Sequence, residues 1–458
     1  MGLLLGLSIL KLGNPVILED KIGQPGSLAE WISRPWPTRA GLFLLPIVIA
    51  SVLFLTPWRQ RLASARLPAW LWTAMAVWLG WLVASTAQSV DSRLTQLTLP
   101  HLIGTAVCFT AGIVLGSGHW KPLLIGLGVG ACLCWLQAVN QRTVEFRLAR
   151  EALLLGQQSG WTNSSPAELA EMRLSGLVIQ TNGTDIANPV ILDKLQRGRV
   201  HGSLVYPNAL AGLVLLALPV LAVAIASARS RLRPALFYGI LALFCALGLA
   251  SLLWSGSRSG WLLAVAMAAA AILLHPSLSR FRLPIALSVL LLGGGAFGLR
   301  NQDYFRKGAM SVSARFDYWK AAIQNTADHP LLGSGPGTFM RPYARLKAPD
   351  AEMARLVHND YLQQFSDSGL PGGVAYLVWV LGSLGLAWNR LRSAPSPILI
   401  TSLLLGVSAW FAQGLSEFSL YVPPLAWTAF TLLGIALGVP RVSPSTPSTQ
   451  PTNPSARP

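Results

Sequence analysis

The sequence predicts an all-α protein that crosses a membrane many times. Of its 458 residues, 52% are hydrophobic and only 12% are charged, which is not the balance of a soluble domain. Apolar stretches of about 20 residues, the length that spans a bilayer as a helix, recur along the whole chain. These observations predict a polytopic bundle of transmembrane helices, with about twelve spans.

Eleven stretches are predicted as clear spans, and a weaker apolar stretch precedes them at residues 2–18. The eleven lie at residues 40–56, 67–87, 98–117, 120–139, 204–227, 235–254, 260–274, 283–299, 368–388, 398–415 and 422–439. If residues 2–18 also cross, both termini lie on the cytoplasmic side. If they do not, eleven spans remain and the N-terminus lies outside.

Arginine-rich connections predict the orientation of this bundle. Short connections that contain basic residues and no acid stay on the cytoplasmic side of a membrane. The arginines in such connections are Arg59, Arg61, Arg66, Arg229, Arg231, Arg233, Arg280, Arg282, Arg390 and Arg392. With twelve spans they all fall on one side. The net charge of +17 therefore indicates helix orientation and not nucleic-acid binding.

The same orientation divides the chain into six segments. They are N-terminal transmembrane helices (1–139), an external loop (140–203), transmembrane helices with an arginine element (204–299), a large external loop (300–367), C-terminal transmembrane helices (368–439) and a disordered cytoplasmic tail (440–458). The tail is rich in Ser, Thr and Pro and cannot build a core. The external loops carry apolar residues at helical spacing, so we expect both to be partly helical, with the functional site in 300–367.

The stretch LVHNDYLQQFSDSGLPGG gathers polar side chains directly before an apolar span. His358 precedes that span by about ten residues, which predicts a place at the external membrane surface. A neutral imidazole there can take a proton from a hydroxyl group near physiological pH. The alternative is an interfacial histidine bonded to a backbone carbonyl. Asn359 and Tyr361 are further possible site residues.

Three arginines on the external side are candidates for binding an oxygen-rich anion. Arg258, in WSGSRSGWLLAV, lies between an outward and an inward span, where the positive-inside rule disfavours it. It could bind diphosphate through its planar guanidinium, or it could extend into the lipid head groups. Arg315, in ARFDYWKAA, could hold phosphate or pair with Asp317. Arg199 precedes a span and could assist them.

Several common catalytic motifs are absent from the sequence. It contains no H-E-x-x-H or C-x-x-C motif, and no nucleotide-binding fingerprint on a predicted soluble segment. We therefore expect no metal site and no cofactor, and the sequence supports neither a metal hydrolase nor an ATP-driven pump.

Together these motifs resemble those of the O-antigen ligase and O-antigen polymerase family of bacterial membrane glycosyltransferases. HNDYLQQFSDSGLPGG is similar to its histidine signature, GSRSGWLLA and ARFDYWKAA to its two arginine elements, HPLLGSGPGTF to its glycine-rich element, and GRVHGSLVYPNALA to the segment before an earlier span. The elements follow the family's order over about residues 197–375. Asp367 is a departure, because the family often has glutamate there.

This resemblance implies a metal-independent transferase that moves a glycan from an undecaprenyl diphosphate carrier to an acceptor hydroxyl. The reaction would take place on the periplasmic, external face of the bacterial cytoplasmic membrane. His358 would be the catalytic base, and Arg258 and Arg315 would bind the diphosphate. The acceptor stays open, since a ligase uses lipid A core, a polymerase another lipid-linked glycan, and a protein O-oligosaccharyltransferase a serine or threonine hydroxyl.

A secondary transporter or flippase is the alternative of a different class. About twelve spans with few charges inside the membrane would also fit such a protein. A transporter is expected to contain two similar halves with broken helices and ionisable groups near mid-membrane. The sequence shows no internal repeat, and its polar motifs fall on one side of the predicted bundle.

Overall fold

A computed structural model describes residues 1–118, 120–227, 229, 233–306, 310–391 and 397–440 of the chain. The helices are α1 Gly2–Lys11, α2 Leu28–Ser33, α3 Thr38–Leu55, α4 Trp58–Ala65, α5 Ala69–Ser85, α6 Ser92–Gly116, α7 Trp120–Asn140, α8 Phe146–Gln158, α9 Pro166–Leu174, α10 Pro189–Arg197, α11 Pro207–Ala226, α12 Pro234–Ser255, α13 Arg258–Leu274, α14 Arg282–Arg306, α15 Met310–Asp328, α16 Met340–Leu346, α17 Asp360–Arg390, α18 Pro397–Gln413 and α19 Pro423–Gly438. Between α9 and α10, strands β1 Val178–Thr181 and β2 Thr184–Ala187 form an antiparallel hairpin. The helical bundle is confirmed, and the hairpin is an addition to the all-α prediction.

The predicted spans fall on two groups of helices. Eight helical stretches, which contain α3, α5, α6, α7, α11, α12, α14 and α17, are long and apolar enough to cross a membrane. Four shorter apolar helices, α1, α13, α18 and α19, contain 10 to 17 residues. The chain thus has the helices of a multi-pass membrane protein, while the count of about twelve crossings stays a prediction.

Helix α19 lies at the centre of the bundle, because every one of its residues is buried. It packs along α6, where Gly112 and Gly116 face Gly434 and Gly438 of α19. A Cβ added at Gly116 would lie 2.6 Å from the carbonyl oxygen of Ile435. Small residues spaced four apart allow two membrane helices to approach this closely. By contrast, α14 is exposed along most of its length and lies at the outside of the bundle.

The N-terminal helix α1 is attached to α7 by a similar set of facing glycines. Gly2 and Gly6 of α1 approach Gly126 and Gly130 of α7 so closely that a Cβ on any of them would collide with the other backbone. The ten residues of α1 rise about 15 Å, against about 30 Å for a bilayer core. The predicted crossing over residues 2–18 is therefore α-helical only in its first ten residues.

The variant Gly130→Ala is expected to lower the Tm of the detergent-solubilised protein. Its added Cβ would lie 2.6 Å from the carbonyl oxygen of Gly6, which forces a shift that costs about 1–3 kcal/mol. Gly239→Ala in α12 is the matched control, because a Cβ there meets no atom within 4 Å. Equal Tm values for the two variants would contradict the close approach of α1 and α7.

The two long segments that were predicted to be external are partly helical, as expected. The segment 140–203 holds α8, α9, the hairpin and α10, and a small apolar core joins them through Leu153, Trp161, Val178 and Ala187. The hairpin turns at Asn182 and Gly183, which both have positive φ, the conformation that an Asn-Gly turn favours. The segment 300–367 holds the end of α14, all of α15 and α16, and the start of α17.

Some of the sequence-based predictions concern parts of the chain outside the described residues. They are the cytoplasmic placement of Arg231 and Arg392 and the disorder of the tail beyond residue 440. The other boundaries between the six predicted segments stay predictions.

Candidate functional site

Glu417, in the short connection between α18 and α19, forms the centre of the candidate site. Its side chain is only 5% exposed and accepts hydrogen bonds from Arg315 Nη2 at 2.6 Å and Asn208 Nδ2 at 2.8 Å. Its second oxygen, Oε2, lies 3.8 Å from Nδ1 of His358. Segments that are far apart in the sequence therefore meet at one buried carboxylate.

Arg315 is placed in this site by α15. The guanidinium pairs with Glu417 and not with Asp317, the neighbour that helical spacing suggested as its partner. The Arg315 side chain is 19% exposed, and its Nε makes no hydrogen bond within the described part of the chain. Arg315 thus keeps donor capacity for a further ligand while one nitrogen holds the carboxylate.

Arg199 adds a second positive charge beside Glu417. Its Nη2 donates to Oδ1 of Asn208 at 3.0 Å, and its Nε donates to the carbonyl oxygen of Ser255 at 2.8 Å. Burial lowers the pKa of Arg199, and the neighbouring charge of Arg258 lowers it further, whereas Glu417 raises it. Asn208 bridges Arg199 to Glu417 and so fixes the distance between cation and carboxylate.

The side chain of Arg258 is held by residues of α14. Its Nε donates to Oδ1 of Asn301 at 3.2 Å, and its guanidinium lies 3.3 Å from the ring centroid of Tyr304. Both partners lie near the end of α14. Cations bind favourably over the face of an aromatic ring in this way. These contacts hold the guanidinium of Arg258, the first residue of α13, against the end of α14.

The charges around Glu417 do not balance. Arg199, Arg258 and Arg315 act electrostatically on one another, while Glu417 is the acid that contacts Arg315 and, through Asn208, Arg199. Three guanidinium groups against one carboxylate leave an excess of positive charge. Guanidinium groups bind phosphate oxygens in a planar, two-pronged geometry. The arrangement is therefore suited to a multiply charged anion.

His358 lies at the edge of this charged cluster in a strained backbone conformation. Its φ of 53° is in the left-handed region, which costs a non-glycine residue about 1 kcal/mol or more. The ring is edge-on to Phe418, with a centroid distance of 4.7 Å. Its Nδ1 is buried and makes no hydrogen bond within the described chain, so the expected alternative of a bond to a backbone carbonyl is not found.

The residues that follow His358 hold the chain in this conformation. Oδ1 of Asn359 accepts hydrogen bonds from the N–H groups of Tyr361 and Leu362, both at 3.0 Å, and caps α17. The Tyr361 hydroxyl donates to the carbonyl oxygen of Phe411 at 2.9 Å. Asn359 and Tyr361 were predicted as possible site residues. In the structure these polar groups position the start of α17.

Gln363 and Asp367 extend this support along the buried face of α17. Oε1 of Gln363 accepts from the N–H of Val357 at 2.8 Å, and its Nε2 donates to Oδ1 of Asp367 at 2.8 Å. The Tyr421 hydroxyl donates to Oδ2 of Asp367 at 2.5 Å. One network of buried bonds therefore joins the chain beside His358 to the connection that carries Glu417.

The glycine-rich element packs against the same face of α17. Gly337 donates its N–H to Oδ2 of Asp367 at 2.8 Å, and Gly335 donates to the Asp367 carbonyl oxygen at 3.0 Å. α17 leaves helical geometry at Gly369, with φ of 69°, where a Cβ would lie 2.6 Å from backbone atoms of Leu331. This element is a packed turn that supports the site, with these two N–H groups bonded to Asp367.

The sequence analysis did not identify Glu417 or Asn208. Glu417 carried a usable signal, since it is the one charged residue between positions 393 and 440 of the sequence. A lone charge in an apolar region marks a candidate functional site. Asn208 carried no comparable signal, because an asparagine at the start of a helix is common.

The described residues contain no group of three or more His, Cys, Asp or Glu side chains that could hold a metal ion. Sequence comparison finds a match to a known family over part of the chain. Residues 241–377, which include Arg258, Arg315 and His358, match the O-antigen ligase family. No curated protein matches the chain. The chain is therefore similar to the O-antigen ligase family over residues 241–377, the part that carries these three side chains.

Proposed function

We propose that the protein transfers a glycan from an undecaprenyl diphosphate carrier to an acceptor hydroxyl in the assembly of a surface polysaccharide. The observation that carries this proposal is the meeting of His358 and Arg315 at Glu417, within a chain that is similar to the O-antigen ligase family. The site lies on the periplasmic face of the cytoplasmic membrane, according to the orientation that the arginine-rich connections predict.

The arginines bind the diphosphate of the donor. Arg258 and Arg315 carry most of this role, and Arg199 adds charge from the other side of Asn208. The negative charge on the diphosphate increases as the bond to the sugar breaks, and fixed cations stabilise that charge most strongly where water is excluded. We propose that the guanidinium groups supply this stabilisation and that the reaction needs no metal ion.

His358 is the base in the proposed reaction. As the acceptor oxygen bonds to the anomeric carbon of the donor sugar, its proton moves to Nε2 of the imidazole. The bond from the anomeric carbon to the diphosphate oxygen breaks, and the carrier leaves as the lipid diphosphate. Nδ1 of the resulting imidazolium faces Oε2 of Glu417 at 3.8 Å, so the carboxylate stabilises the new positive charge. Glu417 is therefore a positioning residue.

Transfer by the purified protein in detergent is expected to continue in the presence of EDTA. The assay uses a lipid-diphosphate-linked oligosaccharide as donor and measures the glycosylated acceptor. The variant Arg258→Gln is expected to require a higher donor concentration for half-maximal rate, because a cation beside the diphosphate is lost.

A loss of transfer with EDTA that added Mg²⁺ or Mn²⁺ restores would contradict the metal-independent mechanism. If an authentic donor and acceptor give no transfer while liposomes that contain the protein move the lipid-linked glycan across the bilayer, the protein is a flippase.

A further inference from the structure

A cavity beside His358 has no role in the binding of the donor as proposed above. It has a volume of about 210 Å³, and its lining includes Tyr206, Tyr318, Phe418, Glu352, Arg355 and His358. None of Arg199, Arg258 and Arg315 lines it. His358 therefore stands between two chemically different environments, one rich in arginine and one rich in aromatic rings.

The aromatic rings form a continuous wall next to the imidazole. Tyr206 meets Phe418 edge-on at a centroid distance of 5.2 Å, and Phe418 meets His358 at 4.7 Å. Tyr318 also lies beside the imidazole, with its ring centroid 5.7 Å from that of His358. Pockets that bind small ligands commonly combine such apolar walls with a few polar groups that fix orientation.

The polar groups of the cavity have no partners within the described part of the chain. The carboxylate of Glu352, the guanidinium of Arg355 and the hydroxyls of Tyr206 and Tyr318 make no hydrogen bond or ion pair there. Burial raises the pKa of Tyr318, so its hydroxyl stays protonated and can donate. The cavity thus offers both donors and acceptors, and its one acid balances its one cation.

We propose that this acceptor cavity, formed by Tyr206, Tyr318, Glu352, Arg355, Phe418 and His358, binds one sugar ring of a glycan acceptor. The proposal rests on the function proposed above. A sugar ring has hydroxyls that both donate and accept, and C–H faces that pack on aromatic rings. The volume is below the roughly 300 Å³ of the smallest pockets for drug-sized ligands, so it holds a single ring. A bound ring would present its reacting hydroxyl to His358.

Other ligands fit the acceptor cavity less well. A diphosphate needs excess positive charge, which the balanced pair of Glu352 and Arg355 does not provide. An extended peptide that carries a serine or threonine would bind along an open edge or groove with backbone partners. The chemistry of the cavity therefore favours a carbohydrate acceptor over a protein acceptor.

Saturation-transfer-difference NMR of the purified protein in detergent tests this proposal without requiring any reaction. The probes are methyl glycosides of glucose, galactose, mannose, N-acetylglucosamine and rhamnose, together with the blocked peptide acetyl-Ala-Ser-Ala-amide. We expect at least one glycoside to give a saturation signal. Its dissociation constant should rise about tenfold in Tyr206→Phe and in Glu352→Gln, since each change removes a hydrogen-bonding group.

Glu171→Gln, an exposed change on α9, is the matched control and should leave the dissociation constant unchanged. The proposal is overturned if no glycoside binds, if binding is equal in all four proteins, or if the peptide binds in the glycosides' place. The protein could bind a glycoside, lose affinity for it in the two variants, and yet transfer no glycan. That result would support the acceptor cavity and reject the proposed function. Glycan transfer by a protein that binds no glycoside would support the proposed function and reject the acceptor cavity.

Discussion

The variant His358→Asn is expected to abolish glycan transfer while the protein still folds. Asparagine adopts the left-handed backbone conformation more readily than most residues, so it suits the φ of 53° at this position. It cannot act as a base near neutral pH, and general base catalysis contributes about 100- to 10,000-fold to a rate. The measurement is the initial rate of transfer with saturating donor and acceptor, together with the Tm of each protein.

The matched control for this variant is His329→Asn, which changes an exposed histidine in the same segment, residues 300–367. It should transfer at the rate of the unmodified protein. If His358→Asn keeps its Tm and transfers at a comparable rate, His358 is not the base. If its Tm falls strongly instead, the histidine is required for folding and the catalytic assignment fails.

The variant Glu417→Gln is expected to reduce transfer about 100-fold with little loss of stability. The amide oxygen of glutamine can still accept from Arg315 and Asn208, so the contacts at 2.6 and 2.8 Å are retained. The negative charge opposite His358 is lost, and the imidazolium that forms during the reaction loses its stabilisation. Initial rates of the unmodified protein and the variant, with saturating donor and acceptor, would test this, together with the Tm of each protein.

A second change at this position separates charge from packing. Glu417→Ala leaves Arg315 unpaired in a site where it is only 19% exposed, and breaking a buried ion pair costs about 3 kcal/mol. Its Tm should therefore fall further than that of Glu417→Gln. Equal rates for the unmodified protein and Glu417→Gln would remove the carboxylate from the proposed mechanism.

The helices and their order were predictable from the sequence because apolar length alone determines them. Each of the twelve predicted stretches overlaps one of the apolar helices. The early end of α1 had a signal that the sequence analysis missed, because Gly13, Asn14 and Pro15, which are typical of a helix end, follow Lys11 closely. The hairpin in the segment 140–203 was missed, although Asn182 and Gly183 are a turn signal.

The candidate site was predictable only in part. His358, Arg258 and Arg315 stand in recognisable local motifs, and the structure places His358 and Arg315 at the same carboxylate. The choice of Glu417 over Asp317 as the partner of Arg315 depends on how the fold brings the connection between α18 and α19 to α15. Contacts of this kind, between positions 102 residues apart, follow from the tertiary fold and leave no trace in local spacing.

The central position of α19 has a consequence for how the protein is made. Membrane helices leave the ribosome in chain order, so α6 enters the bilayer long before the helix that packs on its glycines. Until α19 arrives, the surface around Gly112 and Gly116 is open to lipid or to other helices. Glu417 precedes α19 by only a few residues, so the charged cluster is completed in the same step that closes the bundle. A ribosome-bound or prematurely terminated chain would therefore insert its earlier helices and still lack the complete charged cluster.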